Sequence, residues 1–373
     1  MGTTANTEAP VGRGELIALL DRALSASGRA VLTGAAGVGK TAVAAAVAAV
    51  AESRGESVLY VAPEAADRRI PGAAAAELLA SVPRAALDPL SGPQRTAVAM
   101  FRRETDAPDD GWDRIALRLA LVEILRALAA TDPVLLVVDN AQWLDDESAD
   151  LFRFALRLAP PGVRVLASEH VQCGALSAQA LCGPGVQPVP VPPLDADEVA
   201  ELLVRHGLPS RLAGRIHRAS GGNPRLALAL GRSLAEAREP VHHAATLPVS
   251  GQAREVARRL LAETPSPAHG TLLLAALAAR PTTALLRRAG RPAAEAELAA
   301  AEQTGLVTVG EDGSVEFTAG VLPAVLASDA GWPDRSAGHA ALAAAVDDPV
   351  EAVRHRALAV DAPDEALAAE VAD

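Results

Sequence analysis

Residues 30–53 constrain the fold more than any other part of the chain. They read AVLTGAAGVGKTAVAAAVAAVAES: an apolar run, a glycine-rich loop and an alanine-rich segment in unbroken succession. The apolar run ends at Gly34 and reads as a buried strand, and Lys40 to Ser53 reads as a helix that Gly55 stops. A strand handing directly to a helix through a short loop is the opening of a parallel α/β unit.

The loop is singled out by its lysine. The chain has 34 lysines and arginines, and Lys40 is the only lysine among them. Arginine serves wherever a solvated cation needs only charge. A phosphate cradle needs a compact ammonium on a thin stem, for which a planar guanidinium is too wide. Gly34, Ala35, Ala36, Gly37, Val38, Gly39, Lys40 and Thr41 match G-x-x-x-x-G-K-[ST] in full. The glycines let backbone N–H groups curl inward around phosphates, and the helix beginning at Lys40 adds the positive end of its dipole. Lys40 is expected to reach the β- and γ-phosphates, and the Thr41 hydroxyl to ligate Mg²⁺. A plain glycine turn between strand and helix would need no lysine.

Further along, 57-SVLYVA-62, 133-PVLLVVDN-140 and 162-GVRVLAS-168 read as strands, with a short last one within 186-VQPVPV-191. Helical patterns separate them: 73–79, 112–130 and 146–159, after a first helix over 15–25. The stretches 87-LDPLSGP-93 and 106-DAPDDG-111 read as loops. Apolar strands alternating with helices predict a parallel sheet covered on both faces. Asp139 stands at the C-terminal edge of the most apolar strand, where open α/β sheets bind ligands, so it is a candidate for holding Mg²⁺. The other reading of Asp139 is a helix N-cap. Asn140 follows Asp139, and an amide accepts no proton at neutral pH. Asp145, Asp146, Glu147 and Ser148 read as cap and first-turn charge of the next helix.

The Pro-rich 188-PVPVPP-193 marks a boundary, and the chain beyond it is almost all helical. Segments 195–206, 211–219 and 224–236 predict a small bundle; 252–262, 270–278, 281–288 and 293–304 predict helices ahead of 306-LVTV-309 and 315-VEF-317. Helices followed by a hairpin with an Asp-Gly turn suggest a winged helix. Two or three short helices are expected over 336–373. The expected domains are therefore 10–193 for nucleotide binding, 194–248 as a helical lid, 249–330 as a winged helix and 331–373 as the start of a helical array.

Composition narrows the function classes. Hydrophobic residues are 50% and charged residues 21%, as in globular chains. Net charge is −12, which opposes nucleic-acid phosphates unless a basic face is segregated. Arg287, Arg288 and Arg291 form only a modest basic patch. Direct DNA binding is not expected. With no apolar run of membrane-spanning length and no signal-peptide pattern, the expectation is a cytoplasmic protein without a membrane partner. Cys173 and Cys182 flank a predicted loop and make no disulfide framework; His242-His243 is the only histidine cluster, in a linker-like stretch.

The segments 11-VGRGEL-16, 34-GAAGVGKT-41, 135-LLVVDNAQWLDDES-148, 191-VPPLDADEVAELL-203 and 219-ASGGNPRLAL-228 together resemble the ATPase core of LuxR-type large transcriptional regulators, which are signalling NTPases of the STAND class. The resemblance covers roughly residues 10–370. It implies a RecA-like, AAA-related P-loop domain, a helical domain and a winged helix. It also implies that ATP favours a self-associating state and ADP a closed one. By the same resemblance Arg13 would sit near the adenine and Pro224 would lie against the nucleotide; read without it, Arg13 is a surface charge and Pro224 the first residue of a helix. The sequence departs from the family pattern at three places: Asn140 for the second acid, Glu169 and His170 where an arginine usually ends the strand, and Ala319 or Gly320 where a histidine often stands. The expected function is an ATP- or ADP-binding regulatory switch with slow or absent hydrolysis. The alternatives are an active ATPase and a nucleotide-filled protein–protein scaffold.

Overall fold

A computed structural model of the chain describes residues 9–105, 113–170, 177–236, 249 and 251–360. It falls into two compact units. The first holds the described residues up to Pro192 except Ala35–Val38; the second holds Ala35–Val38 and the described residues from Pro193 onward.

In the first unit α1 (Gly14–Ser27) ends on Gly28, whose left-handed φ of 70° turns the chain into β1 (Arg29–Thr33). The elements then run α2 (Lys40–Ser53), β2 (Ser57–Val61), α3 (Ala73–Ser81), α4 (Gly92–Phe101), α5 (Arg114–Thr131) and β3 (Val134–Val138). They finish with α6 (Asp146–Leu158), β4 (Val163–Glu169), α7 (Ser177–Cys182) and β5 (Pro188–Pro190). All strand pairings are parallel, in the order β2-β3-β4-β1-β5. Every residue of β3 is buried, which is why its sequence is continuously apolar rather than alternating. Leu136 and Val138 join Leu78, Leu79, Leu121, Ile124, Leu125 and Phe152 in one core cluster made mostly of aliphatic side chains.

Two helices lie where the sequence reads as loop. The stretch 87–93 leads into α4: Ser91 precedes the helix, its N–H donates to Gln94 Oε1 at 2.8 Å, and Pro93 sits in the first turn. Ser and Pro are loop signals and also helix-start signals, and here they start one. The region ahead of Cys182 holds α7, with Cys182 buried at its end; Cys173 lies outside the described residues. The expected helix start at Trp112 and the loop at 106–111 also lie outside them. Asp113 accepts from the N–H groups of Ile115 and Ala116, both at 2.9 Å, so α5 begins at Arg114.

The second unit is helical apart from one ribbon. It contains α8 (Ala196–Arg205), α9 (Ala213–Ser220), α10 (Pro224–Glu236), α11 (Gly251–Ala262), α12 (Ser266–Leu277), α13 (Thr283–Arg288) and α14 (Ala294–Gln303). Then come β6 (Val307–Val309) and β7 (Val315–Phe317), antiparallel with Val307 opposite Phe317, and α15 (Leu322–Asp329), α16 (Trp332–Ala345) and α17 (Pro349–Ala359). Helix α15 has no counterpart in the sequence reading. The paired glycines Gly221 and Gly222 are dictated by packing: a Cβ on Gly221 would lie 1.9 Å from the Thr318 carbonyl oxygen, and one on Gly222 2.2 Å from that of Leu194.

Candidate functional site

The loop from Gly34 to Gly39 leaves the C-terminal end of β1 and enters α2. Gly37 and Gly39 hold φ of 74° and 105°, which L side chains rarely adopt, so both glycines are required by the backbone. Lys40 is buried, 4% exposed, and its Nζ donates to the Gly34 carbonyl across the loop at 2.9 Å. A buried ammonium is costly unless it is hydrogen-bonded, and the loop's own backbone supplies the acceptor. Thr41, the next residue, is exposed at the start of α2. In the second unit, the loop tip is held by Asn223, whose Nδ2 donates to the Ala36 carbonyl at 2.8 Å, and by the Arg225 N–H, which donates to Gly37 O at 3.4 Å. Asn223 Oδ1 also accepts from Leu226 N at 3.2 Å, capping α10, which Pro224 opens.

Asp139 follows β3 and is wholly buried. The sheet order and register decide its partners. Val138 pairs with Ala167 on β4 and Val61 on β2, so Asp139 stands level with Ser168 on one side and close to Tyr60 on the other. The Ser168 hydroxyl donates to Asp139 Oδ1, and the Tyr60 hydroxyl lies 3.5 Å from Oδ2. Ser168 Oγ in turn accepts from Asn140 N at 3.0 Å. The Tyr60 phenol is pushed well above its ordinary range, first by burial and then by the Asp139 charge. Asp139 therefore caps no helix: its carboxylate is held by two hydroxyls. Tyr60 and Ser168 were missed by the sequence reading because nothing along the chain says which strands flank β3.

Asn140 adopts φ 57°, ψ 47°, the left-handed conformation, ahead of a short turn at Ala141–Trp143. Asn and Asp are the side chains that tolerate this conformation best, so the amide has a backbone reason to be there. Asp145 caps α6 by accepting from Ser148 N at 2.9 Å, as the sequence reading of this cluster expects; it also accepts from Gly72 N at 2.7 Å, which that reading does not contain.

Glu169, His170, Ala319 and Gly320 each sit in local contacts. Glu169 is buried at the end of β4, and its Oε2 accepts from Ala178 N at 2.9 Å, tying the strand to α7. His170 N donates to Gln142 Oε1 at 3.3 Å. Ala319 is buried, and a Cβ on Gly320 would lie 3.1 Å from the Arg218 carbonyl oxygen at the end of α9. Arg13 is 3% exposed, so it is no surface charge: it lies in the first unit at the N-cap of α1.

Among the described residues no group of three His, Cys, Asp or Glu side chains is placed to hold a metal by itself, and no helix is long and apolar enough to cross a membrane. His242-His243 lies outside the described residues.

A five-stranded parallel sheet with a glycine-lysine loop at the end of one strand and a buried aspartate two strands away defines an α/β fold of the P-loop ATPase kind. Residues 9–167 match the family model of the AAA ATPase domain. Among solved structures, a Walker-type ATPase of Pyrococcus abyssi shares the fold: TM-score 0.54, 15% identity, covering 85% of this chain and 95% of that one. Looser likenesses are a STAND protein with a tetratricopeptide repeat sensor from Pyrococcus horikoshii (TM-score 0.37, 13% identity, 98% of this chain and 50% of that one) and the ORC2 protein of Aeropyrum pernix, solved as ADPNP–ADP complexes (TM-score 0.49, 16% identity, 90% and 94%). This chain thus spans half the length of that STAND protein. No curated protein matches.

Proposed function

We propose that the chain is the nucleotide-binding switch module of a LuxR-type STAND signalling protein, binding ATP or ADP and hydrolysing it slowly or not at all. The observation that carries this reading is the buried Lys40 bridging the glycine loop. Gly34, Ala35, Ala36, Gly37, Val38, Gly39, Lys40 and Thr41 would cradle the phosphates. Thr41 and Asp139 offer a hydroxyl and a carboxylate, the hard oxygen donors that suit Mg²⁺. That ion would supply charge neutralisation between the phosphates. Ser168 and Tyr60 orient the Asp139 carboxylate, which supports contact with the ion through water. Arg13 would serve the adenine side and Pro224 the nucleotide from the helical lid.

The same reading divides the chain at 10–193, 194–248, 249–330 and 331–373, with α11–α14 and the β6–β7 ribbon forming a winged helix. Self-association in the ATP state and a cytoplasmic setting belong to it. Direct DNA contact does not: the net charge is −12, and Arg287 pairs with Glu295 at 3.2 Å, Arg288 with Asp347 at 3.2 Å and Arg291 with Glu297 at 2.9 Å within their own unit, which supports that reading.

Titration with a fluorescent ATP analogue tests the reading. Lys40→Ala is expected to weaken binding by about a hundredfold, the loss of a charge-assisted contact. Equal affinity in parent and variant would sink it. Asn140→Asp keeps the left-handed backbone accessible, so it tests chemistry alone. If it raises ATP turnover, the parent site is an arrested one. If the parent already turns over at an ordinary rate and the variant adds nothing, the chain is an active ATPase. Unchanged size and assembly with and without ATP would favour a scaffold.

A further inference from the structure

The second unit buries two imidazoles against each other. His339 on α16 and His355 on α17 are 8% and 1% exposed, with Nδ1 atoms 2.9 Å apart and ring centroids 5.1 Å apart. His355 Nε2 faces Glu351 Oε1 at 3.5 Å, and Glu351 Oε1 also accepts from Ala279 N at 3.1 Å. Ser336 Oγ donates to the Ala359 carbonyl at 2.5 Å, a second tie between the same helices.

An Nδ1···Nδ1 contact at hydrogen-bond distance needs one ring to donate and the other to accept. The Glu351 carboxylate decides which. If His355 donated, its bare Nε2 lone pair would face a carboxylate. If His339 donates, His355 Nε2 carries its hydrogen toward Glu351. One added proton is tolerable on His339, whose Nδ1–H keeps donating. Two are not: each Nδ1 would then carry a hydrogen, and the two N–H groups would point at each other between two positive rings.

We propose that His339 and His355 form a proton-operated latch between α16 and α17, closed by the Nδ1–H···Nδ1 bond and released when both imidazoles are protonated.

The surroundings set the direction. On α17 the charged groups are Glu351, Arg354 and Arg356, and on α16 Asp334 and Arg335. Three further helices meet α16: α12, whose one titratable group is His269, hydrogen-bonded to Leu261 O; α13, with Arg287 and Arg288; and α15, whose Ala327 carbonyl accepts from Arg335 and whose Asp329 pairs with Arg254 and Arg258. Arg288 is spent on the Ala345 carbonyl and Asp347. Burial is the largest influence on both imidazoles and lowers the pKa of each; His355, Arg354 and Arg335 push His339 further down, while Glu351 pulls His355 partly back. The folded pair thus takes up protons at lower pH than the unfolded chain, where an imidazole titrates near about 6.5. Its contribution to stability is full above that value and is lost as pH falls below it.

Hydrogen exchange on the full chain, corrected for intrinsic rates, tests the latch at pH of about 7.5 and about 5.5, either side of the ordinary imidazole range. Protection across α16 and α17 is expected to fall about tenfold or more at the lower pH, the equivalent of one pKa unit, while β3 keeps its protection. His339→Asn places an amide where Nδ1 was; it donates to neutral His355 and can flip to accept from the charged ring, so it should hold protection at both pH values. Protection in the parent that is pH-independent, that falls equally in β3, or that falls equally in His339→Asn would overturn the proposal. Should that variant fail to fold, the parent's imidazole resonances decide. Two coupled steps below about 6.5 support the latch, and independent titration of both rings near that value removes it.

Discussion

Lys40 and Cys182 show how far one residue can be read. Lys40 carries its meaning in its chemistry, because a compact ammonium inside a glycine-rich loop of this spacing matches a phosphate-binding motif. Cys182 does not; its environment decides its behaviour. Burial pushes its thiol up to about 12, against the opposing pull of Arg29. At pH of about 8 only about one molecule in ten thousand then carries a thiolate. In a Cys173→Ser background the folded protein should therefore resist a thiol reagent at that pH and react promptly once unfolded in denaturant. Fast labelling of the native protein would show that Cys182 is not buried as described.

At the scale of elements, one carboxylate organises two helices. Asp145 caps α6 through Ser148 N, and its two oxygens also take the N–H groups of Gly72 and Ala74 at 2.7 and 3.4 Å at the head of α3. Ser148 Oγ completes the set by accepting from Ala75 N at 2.9 Å. All of this is buried, so removing the acceptor strands several donors at once. Asp145→Ala is expected to lower the unfolding free energy by about 2–4 kcal/mol, more than an ordinary cap, measured by urea denaturation. A loss under about 1 kcal/mol would mean that water reaches the stranded N–H groups. The cap on α6 was legible from D-D-E-S before an apolar run. The second role was not, because α3 is distant in sequence.

For the whole molecule the relevant quantity is charge. The net charge is −12, and Arg287, Arg288 and Arg291 pair with Glu295, Asp347 and Glu297, so weak attraction to a polyanion is the expectation. At salt of about 0.15 M a random-sequence duplex should run unretarded in the presence of the full chain. A steep, salt-sensitive shift would overturn that expectation.

The sequence by itself determined whatever depends on neighbours along the chain. The strand–loop–helix at 30–53 was legible because glycine, lysine and an apolar run act within one turn of backbone. So was the all-buried β3, because burial on both faces writes itself as LLVV. Tertiary structure alone decided what depends on who lies alongside. The order β2-β3-β4-β1-β5 brought Tyr60 and Ser168 to Asp139, and no local pattern encodes strand order. Tertiary packing buried Arg13, and it required Gly221 and Gly222 because the carbonyls of Thr318 and Leu194 approach where a Cβ would stand. It also set His339 against His355 from two helices. Short-range geometry is carried by covalent neighbours and their propensities; long-range contact is fixed only when the whole core closes.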